Sequence, residues 1–435
     1  MNIFFLSMGC AKNSVDSEHL IGKLIADGHK IVDNVKNAQV GLINTCAFIQ
    51  GAVKENVDAI LDLELLKEQG GLDKIIVVGC IVNRYEAELR KELPTVDLWA
   101  SAEEWDKVAD FLGRPSPQTA ISTPSRGLLP GSAFWSRYLK VGEGCDTFCS
   151  YCTIPLIRGR LRSVPVEQLA AEAKTLCESG ARELCLVGQD LTVYGKDIYG
   201  KPSLDNLLKT LNSELPDETW IRLLYLHPER ITHEFLDFIL GTEKIIPYLD
   251  IPVQHIDEAI LTAMNRSPDA AHIRDVFAYL RAKNPLFALR TTIIVGFPGE
   301  TEAQFNRVLD FLEEVEFDRV GAFAYSPEEG TKAALLPGQI PDKVKEERLA
   351  RLMELQGRIS RERNSLFADK TLRVLVEEID RDDNLAWGRS YRDAPEVDGM
   401  ISVEGGGALT PGSWVNVTVA DFAEHDLFGV LKNSK

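Results

Sequence analysis

Three short apolar runs near the start of the chain, IFFLSMG, QVGLINT and KIIVVG, each lead into a cysteine: Cys10, Cys46 and Cys80. The stretches between them, VDSEHLIGKLIADG and VKENVDAILDLELLKEQG, carry apolar residues at helical spacing. Strand and helix alternating in this way make a parallel sheet covered by helices. Ligand sites in such sheets lie beyond the carboxyl ends of the strands. The rhythm therefore brings three thiols, far apart in sequence, to one edge of one sheet. Unrelated core cysteines would not all fall just past successive strands.

A second rhythm begins near residue 134. Its candidate strands are YLKVGEG, ELCLVGQ, WIRLLYLHP, YLDIPVQ, LRTTIIVGFPG and RVGAFAYS, mostly with helical patterns between them. Six such units predict a partial parallel barrel with its site at the C-terminal strand ends. Those ends carry the CxxxCxxC of Cys145, Cys149 and Cys152 in GCDTFCSYC, then Gln189 and Asp190, then Gly296 to Glu300. Residues 113–133, rich in Pro and small residues, read as a linker. A charged helix is expected over 341–367, with apolar Leu349, Leu352, Leu355 and Ile359 on one side. Beyond it LRVLVEEID, GRSYRD, MISVEGGG and WVNVTVADF read as strands of a small antiparallel β-barrel. The expected fold is a multidomain α/β chain: an N-terminal parallel α/β domain (1–112), the linker, a partial (β/α)6 barrel (134–367) and the terminal β-barrel (368–435).

Each cysteine triplet has one thiolate fewer than a closed tetrahedral metal site. Three thiolates at close spacing suit three irons of a 4Fe–4S cube, whose fourth iron then stays open to a small molecule. A zinc knuckle would want another Cys or His nearby, and CTIPLIRGRLRS supplies none. Eight cysteines without a basic leader or cleavage site at MNIFFLSMGC point to a reducing cytoplasm, where clustered thiols hold metal more often than they pair. No apolar run is long enough for a bilayer, so no membrane partner is expected. The formal charge of −18 is ill suited to tracking phosphates, so nucleic acid is not expected as substrate.

GCDTFCSYCTIP resembles the signature of radical S-adenosylmethionine (SAM) enzymes, and the cysteine-bearing first domain resembles their methylthiotransferase branch. The resemblance covers essentially the whole chain, including a TRAM-type terminal barrel. It implies two 4Fe–4S clusters. One, on Cys145, Cys149 and Cys152, would bind and reductively cleave SAM. The other, on Cys10, Cys46 and Cys80, would hold the sulfur that is methylated by a second SAM. It also makes Gln189 and Asp190 candidate partners of SAM's amino or hydroxyl groups, Arg222 a candidate for its carboxylate, and Gly296 in VGFPGET a candidate contact for adenine or ribose. A polar group satisfied within the barrel, or a plain Pro-Gly turn, is the alternative in each case.

Several strings, among them SMGCAKNSVDSE, INTCAFI, LLYLHP, YLDIPVQH and APEVDG, resemble the protein-modifying branch, which acts on the β-carbon of an aspartate of ribosomal protein S-12. Where the tRNA-modifying branch reads Gln-Met-Asn after the first cysteine, this chain has Ala11, Lys12 and Asn13. Residues 370–435 hold seven Lys and Arg against twelve Asp and Glu, a sign that suits a basic protein partner better than RNA. S-12 and a reductant for the clusters are thus the expected partners, and a helper protein presenting S-12 stays open. A tRNA adenosine methylthiotransferase and a non-catalytic iron–sulfur electron carrier are the alternatives. Cys177 and Cys185 read as packing residues, and His227 and His255, at strand ends within reach of a substrate, read as hydrogen-bonded, satisfied core histidines rather than substrate contacts. The role of the basic run Arg158, Arg160 and Arg162 is left open between a solvated face and contacts to SAM or protein.

Overall fold

The computed structural model describes residues 1–113, 126–129 and 134–432. Most of the expected linker over 113–133 therefore lies outside the described residues. Its piece 126–129 is tied to its neighbours: Gly127 N donates to Glu18 O at 2.9 Å, and Arg126 donates to Tyr138 O at 2.6 Å and to Glu172 at 2.9 Å.

The first sheet comprises β1 (Asn2–Ser7), β2 (Lys30–Val32), β3 (Val40–Thr45), β4 (Lys74–Gly79) and β5 (Leu98–Ala100), all parallel in the order β2-β1-β3-β4-β5. Three helices, α1 (Ala11–Ala26), α2 (Gln50–Glu68) and α3 (Cys80–Glu92), lie between its strands in sequence. Leu20, Ile21 and Leu24 of α1 pack on Ile3, Phe5, Leu42 and Ile76 of one face. Ile60 and Leu63 of α2 and Ile81 of α3 pack on Ile43, Ile75 and Val77 of the other. Coverage on both faces is why these strands are continuous apolar runs rather than alternating ones. Each fully buried Leu or Ile contributes about 1.5–3 kcal/mol, so the sheet is a firm platform for the loops at its carboxyl edge. The short β2 and β5, three residues each, carried too few apolar residues to stand out in the sequence.

The second sheet is six-stranded and parallel, with neighbours in chain order: β6 (Ser136–Lys140), β7 (Glu183–Val187), β8 (Trp220–Leu223), β9 (Ile245–Asp250), β10 (Ala288–Val295) and β11 (Arg319–Ala324). All six expected strands are present. The long helix Asp342–Ser365 adds Leu352 and Ile359 to the core of this sheet.

The terminal module is a closed five-stranded barrel of β12 (Thr371–Asp380), β13 (Leu385–Arg389), β14 (Ile401–Glu404), β15 (Trp414–Phe422) and β16 (Leu427–Leu431). Two details differ from the expectation. The strand read as GRSYRD ends at Arg389, because Ser390 and Asp393 bond each other and turn the chain (Ser390 Oγ to Asp393 Oδ2, 3.1 Å). The barrel is not wholly antiparallel: β14 and β16 pair in parallel. Strand β16 escaped notice because LFGVL exposes alternate residues and contains Gly429.

The loop after β13 reaches the amino ends of the second-sheet strands. Arg389 donates to Glu183, the first residue of β7, at 2.7 Å, and Arg392 donates to Asp318, just before β11, at 3.2 Å. Trp414 packs on Trp220, the first residue of β8, with ring centroids 4.3 Å apart. The barrel is thus fastened to the end of the sheet opposite the cysteines.

Candidate active site

Cys10 caps the start of α1, Cys46 follows β3, and Cys80 opens α3 directly after β4. Strands β1, β3 and β4 are neighbours, so the three thiols share one edge as the topology requires. Charge on Cys10 acts on both Cys46 and Cys80. Asn13, fully buried one turn into α1, joins the three loops: its Nδ2 donates to Met8 O at 2.9 Å and Thr45 O at 2.7 Å, and its Oδ1 lies 3.7 Å from Cys80 Sγ. Asn56 Oδ1 accepts from Cys46 N at 3.0 Å. Gly9 has φ of +102°, and a Cβ there would sit 2.6 Å from the Cys46 Cβ; only glycine lets the two cysteine loops approach so closely.

The second triplet occupies the loop after β6. Two of its sulfurs accept backbone hydrogen bonds, Cys145 from Thr147 N and Cys152 from Ile154 N, both at 3.4 Å. The loop is anchored on residues after the helix Glu258–Ala263: Asn265 Nδ2 donates to Phe148 O at 2.9 Å, Ser150 N to Met264 O at 2.9 Å, and Arg266 points Nη1 at Cys149 Sγ from 3.8 Å. Gly144 has positive φ, and any side chain there would run into the Arg160 carbonyl.

Both triplets meet at one wall. Thr153 Oγ1, next to Cys152, donates to Phe48 O, two residues past Cys46, at 3.0 Å. Arg158 bridges them: Nε lies 3.2 Å from Cys80 Sγ, and Nη1 donates to Asp16 at 2.8 Å and Glu143 at 2.9 Å. Lys140 pairs with the same two carboxylates. Burial pushes the Cys80 and Cys152 thiols up to about 12, while Arg158 and Arg266 respectively pull them back down. Thiols this buried become thiolates when a metal replaces the proton, and each triplet already has a guanidinium against it.

The cofactor candidates fare unequally. Gln189 lies at the carboxyl end of β7, donates to Glu143 at 2.8 Å, and keeps a buried Oε1 without a partner. Asp190 is close enough for its charge to act on Cys145, but Thr192 and Arg230 already hold its carboxylate (Arg230 Nη1 at 2.8 Å). Gly296 turns its N–H onto the Glu300 carboxylate at 3.0 Å, so that N–H is not free for adenine or ribose. Arg222 is not at the site. Fully buried, it donates to Glu183 at 2.7 Å and Tyr391 O at 2.8 Å, binding the sheet to the terminal barrel. Cys185 is a buried strand residue and Cys177 a half-buried helix residue.

His227 is more exceptional than its reading as a satisfied core histidine allowed. Neither ring nitrogen makes a hydrogen bond, Glu229 Oε2 standing 3.8 Å from Nδ1, and burial, then Arg266 and Arg230, hold the ring neutral with a pKa lowered to about 2. Gln254 Oε1 is also buried without a partner, whereas His255 Nε2 stands 3.5 Å from Glu300 Oε2. Orphaned polar atoms at strand ends are what a polar ligand would satisfy.

Family models match three segments: an uncharacterized protein family, UPF0004, over residues 2–101, the radical SAM superfamily over 139–312, and the TRAM domain over 370–431. Among curated proteins, the ribosomal protein uS12 methylthiotransferase RimO of Geobacter sulfurreducens is 41% identical over 99% of this chain and 98% of its own length. That of Carboxydothermus hydrogenoformans is 41% identical over 100% of both. The chain belongs to the RimO family. It is a radical SAM methylthiotransferase with a TRAM barrel. Of solved structures, the radical SAM methyltransferase TsrM of Kitasatospora setae superposes with a TM-score of 0.53 at 14% identity, covering 74% of each chain, and the cobalamin-dependent radical enzyme OxsB gives 0.52 at 12%, covering 82% of this chain and 56% of its own. Those two share the fold.

A radical SAM domain in the RimO family implies a 4Fe–4S cluster and SAM, and the residues around Cys145 fit them: three thiols, two of them with backbone donors to sulfur, a guanidinium alongside the third, and buried polar atoms without hydrogen bonds at the strand ends. Among the described residues no three His, Cys, Asp or Glu side chains converge tightly enough for a single ion. Among the described residues no helix is long and apolar enough to cross a membrane.

Proposed function

We propose that this chain adds a methylthio group to the β-carbon of an aspartate of ribosomal protein S-12 (uS12). The reading rests on full-length identity of about 40% to enzymes named for that activity. One structural observation supports it: Thr153, next to Cys152, donates to Phe48 O, two residues past Cys46, and Arg158 reaches both Glu143 and Cys80, so the loops carrying the two triplets are in contact.

Cys145, Cys149 and Cys152 would hold the SAM-binding cluster, and Cys10, Cys46 and Cys80 an auxiliary cluster. When bound, these clusters and SAM supply the radical, the sulfur and the methyl group. The chain supplies placement and dryness. Arg158 and Arg266 set positive charge against buried thiolates. Asn13 and Asn56 fix the loops that carry Cys80 and Cys46, and Gln189 and His227 offer unpartnered polar atoms for SAM. Asp190 acts through Arg230, whose guanidinium it orients.

Intact-mass analysis of S-12 from cells lacking this protein tests the reading. Loss of a methylthio increment from the aspartate is expected. Unchanged S-12 together with lost adenosine methylthiolation in tRNA would transfer the activity to the tRNA substrate.

A further inference from the structure

Four buried or half-buried cations where the first domain meets the second sheet are paired. Arg126 and Arg137 bond Glu18; Lys140 and Arg158 share Asp16 and Glu143. Lys12 is the exception. Among the described residues it has no carboxylate within ion-pair distance. Its ammonium crosses from the first turn of α1 to the mouth of the second sheet, where it lies 3.4 Å from Gly188 O and 3.8 Å from the centroid of the Tyr225 ring.

The seat for that ammonium is strained. Tyr225, just past β8, has φ of +64°, a left-handed conformation rare for a bulky residue. It is held there by Leu191 N donating to Tyr225 O at 3.1 Å and by Tyr225 N donating to Asp250 at 3.3 Å. Backbone strain of this kind clusters at ligand sites. The aromatic face covers one side of the ammonium, and one long contact to a carbonyl leaves most of its three donors without a strong acceptor.

We infer that Lys12, seated on Tyr225, binds the side-chain carboxylate of the substrate aspartate. This rests on the aspartate reading above. The carboxylate hangs one bond from the β-carbon, so the group that holds it positions the carbon to be modified. Lys12 is two residues from Cys10, and its ammonium reaches Gly188 O, next to Gln189 at the strand ends of the second sheet. Local charge agrees: Lys140 and Arg158 take up Asp16 and Glu143, Glu143 acts on Lys12 only from beyond ion-pair distance, and an arriving carboxylate would give Lys12 its partner. The carboxylate of SAM is the other source of the same chemistry. The substrate is favoured because Lys12 comes from the first domain, with Cys10.

The test measures binding of the cluster-loaded enzyme to two synthetic peptides of the S-12 target loop, one with the native aspartate and one with asparagine. The wild-type enzyme is expected to prefer the aspartate peptide. Lys12→Met should weaken that peptide about ten- to a hundredfold, leave the asparagine peptide alone and so abolish the preference; Lys12→Arg should keep most of it. Equal weakening of both peptides, or a preference that survives in Lys12→Met, overturns the assignment. So does loss of labelled SAM from Lys12→Met with its peptide preference intact, which would give the ammonium to SAM. Mass analysis separates this from the parent reading: a wild-type enzyme that methylthiolates the peptide yet binds both forms equally overturns the Lys12 assignment alone. A wild-type enzyme that neither binds nor modifies the aspartate peptide overturns both.

Discussion

Arg158 Nε lies 3.2 Å from Cys80 Sγ, although Arg158 follows the CxxxCxxC loop of the second sheet and Cys80 opens the helix after a strand of the first. One side chain therefore joins the surroundings of both cysteine triplets, and two carboxylates, Asp16 and Glu143, hold it there. Asp16 comes from the first domain and Glu143 from the second. The bridge fixes the distance between the two halves of the site.

Arg158→Ala leaves Asp16 and Glu143 buried with Lys140 alone. Removing one partner of a buried pair costs about 3–5 kcal/mol, so the denaturant midpoint should fall clearly. Arg158→Lys should recover only part of the loss, because an ammonium cannot reproduce the forked contacts. Equilibrium unfolding of the three proteins checks this; equal midpoints would refute the bridging role.

The two triplets should fail differently. Cys149→Ala is expected to lose SAM cleavage altogether. Cys46→Ala should still release 5′-deoxyadenosine and lose sulfur insertion. Iron content and product mass spectra of both variants decide it, and methylthiolation surviving in both would remove the division of labour.

Arg222→Ala should leave SAM affinity at the wild-type value and loosen the terminal barrel, since Glu183 would keep Arg389 but lose its second guanidinium. Trp220 and Trp414, 4.3 Å apart across that contact, report on it by fluorescence. A large loss of SAM binding with an unchanged tryptophan spectrum would return Arg222 to the cofactor.

Acid should release the same contact. Glu183 is buried, but Arg222 and Arg389 outweigh that burial and hold its carboxyl down at about 2, against an ordinary value near 4.5. A depressed carboxylate adds stability above its unfolded pKa, and that stability disappears as pH falls through the folded value. The tryptophan signal should therefore change between about pH 4.5 and 2, and the Glu183→Gln variant should lose most of that pH dependence.

The sheets were readable because buried parallel strands are unbroken apolar runs, and the cysteines because each stands one step past such a run. Arg222 misled for a physical reason. A charged residue inside WIRLL looks like a ligand-binding group, and its real partners, Glu183 and the 390–391 backbone, are distant in sequence. The engagement of the Gly296 N–H was local and could have been found, since Glu300 lies four residues on in VGFPGE. Arg158 could not be resolved, because Asp16, Asn13 and Cys80 all come from another domain. His227 and Lys12 stand out only in three dimensions, where the unusual fact is the partner each lacks.

Every cysteine of the first triplet sits at the carboxyl edge of its sheet, while the chain turns back at the opposite edge, at 27–29, 69–73 and 93–97. A Cβ would meet nothing within 4 Å at Gly28 or Gly70. Those two glycines are thus the places where an affinity tag, a fluorophore or a few extra residues can be spliced in away from the thiols, whereas one residue added between β3 and Cys46 would throw that cysteine out of register.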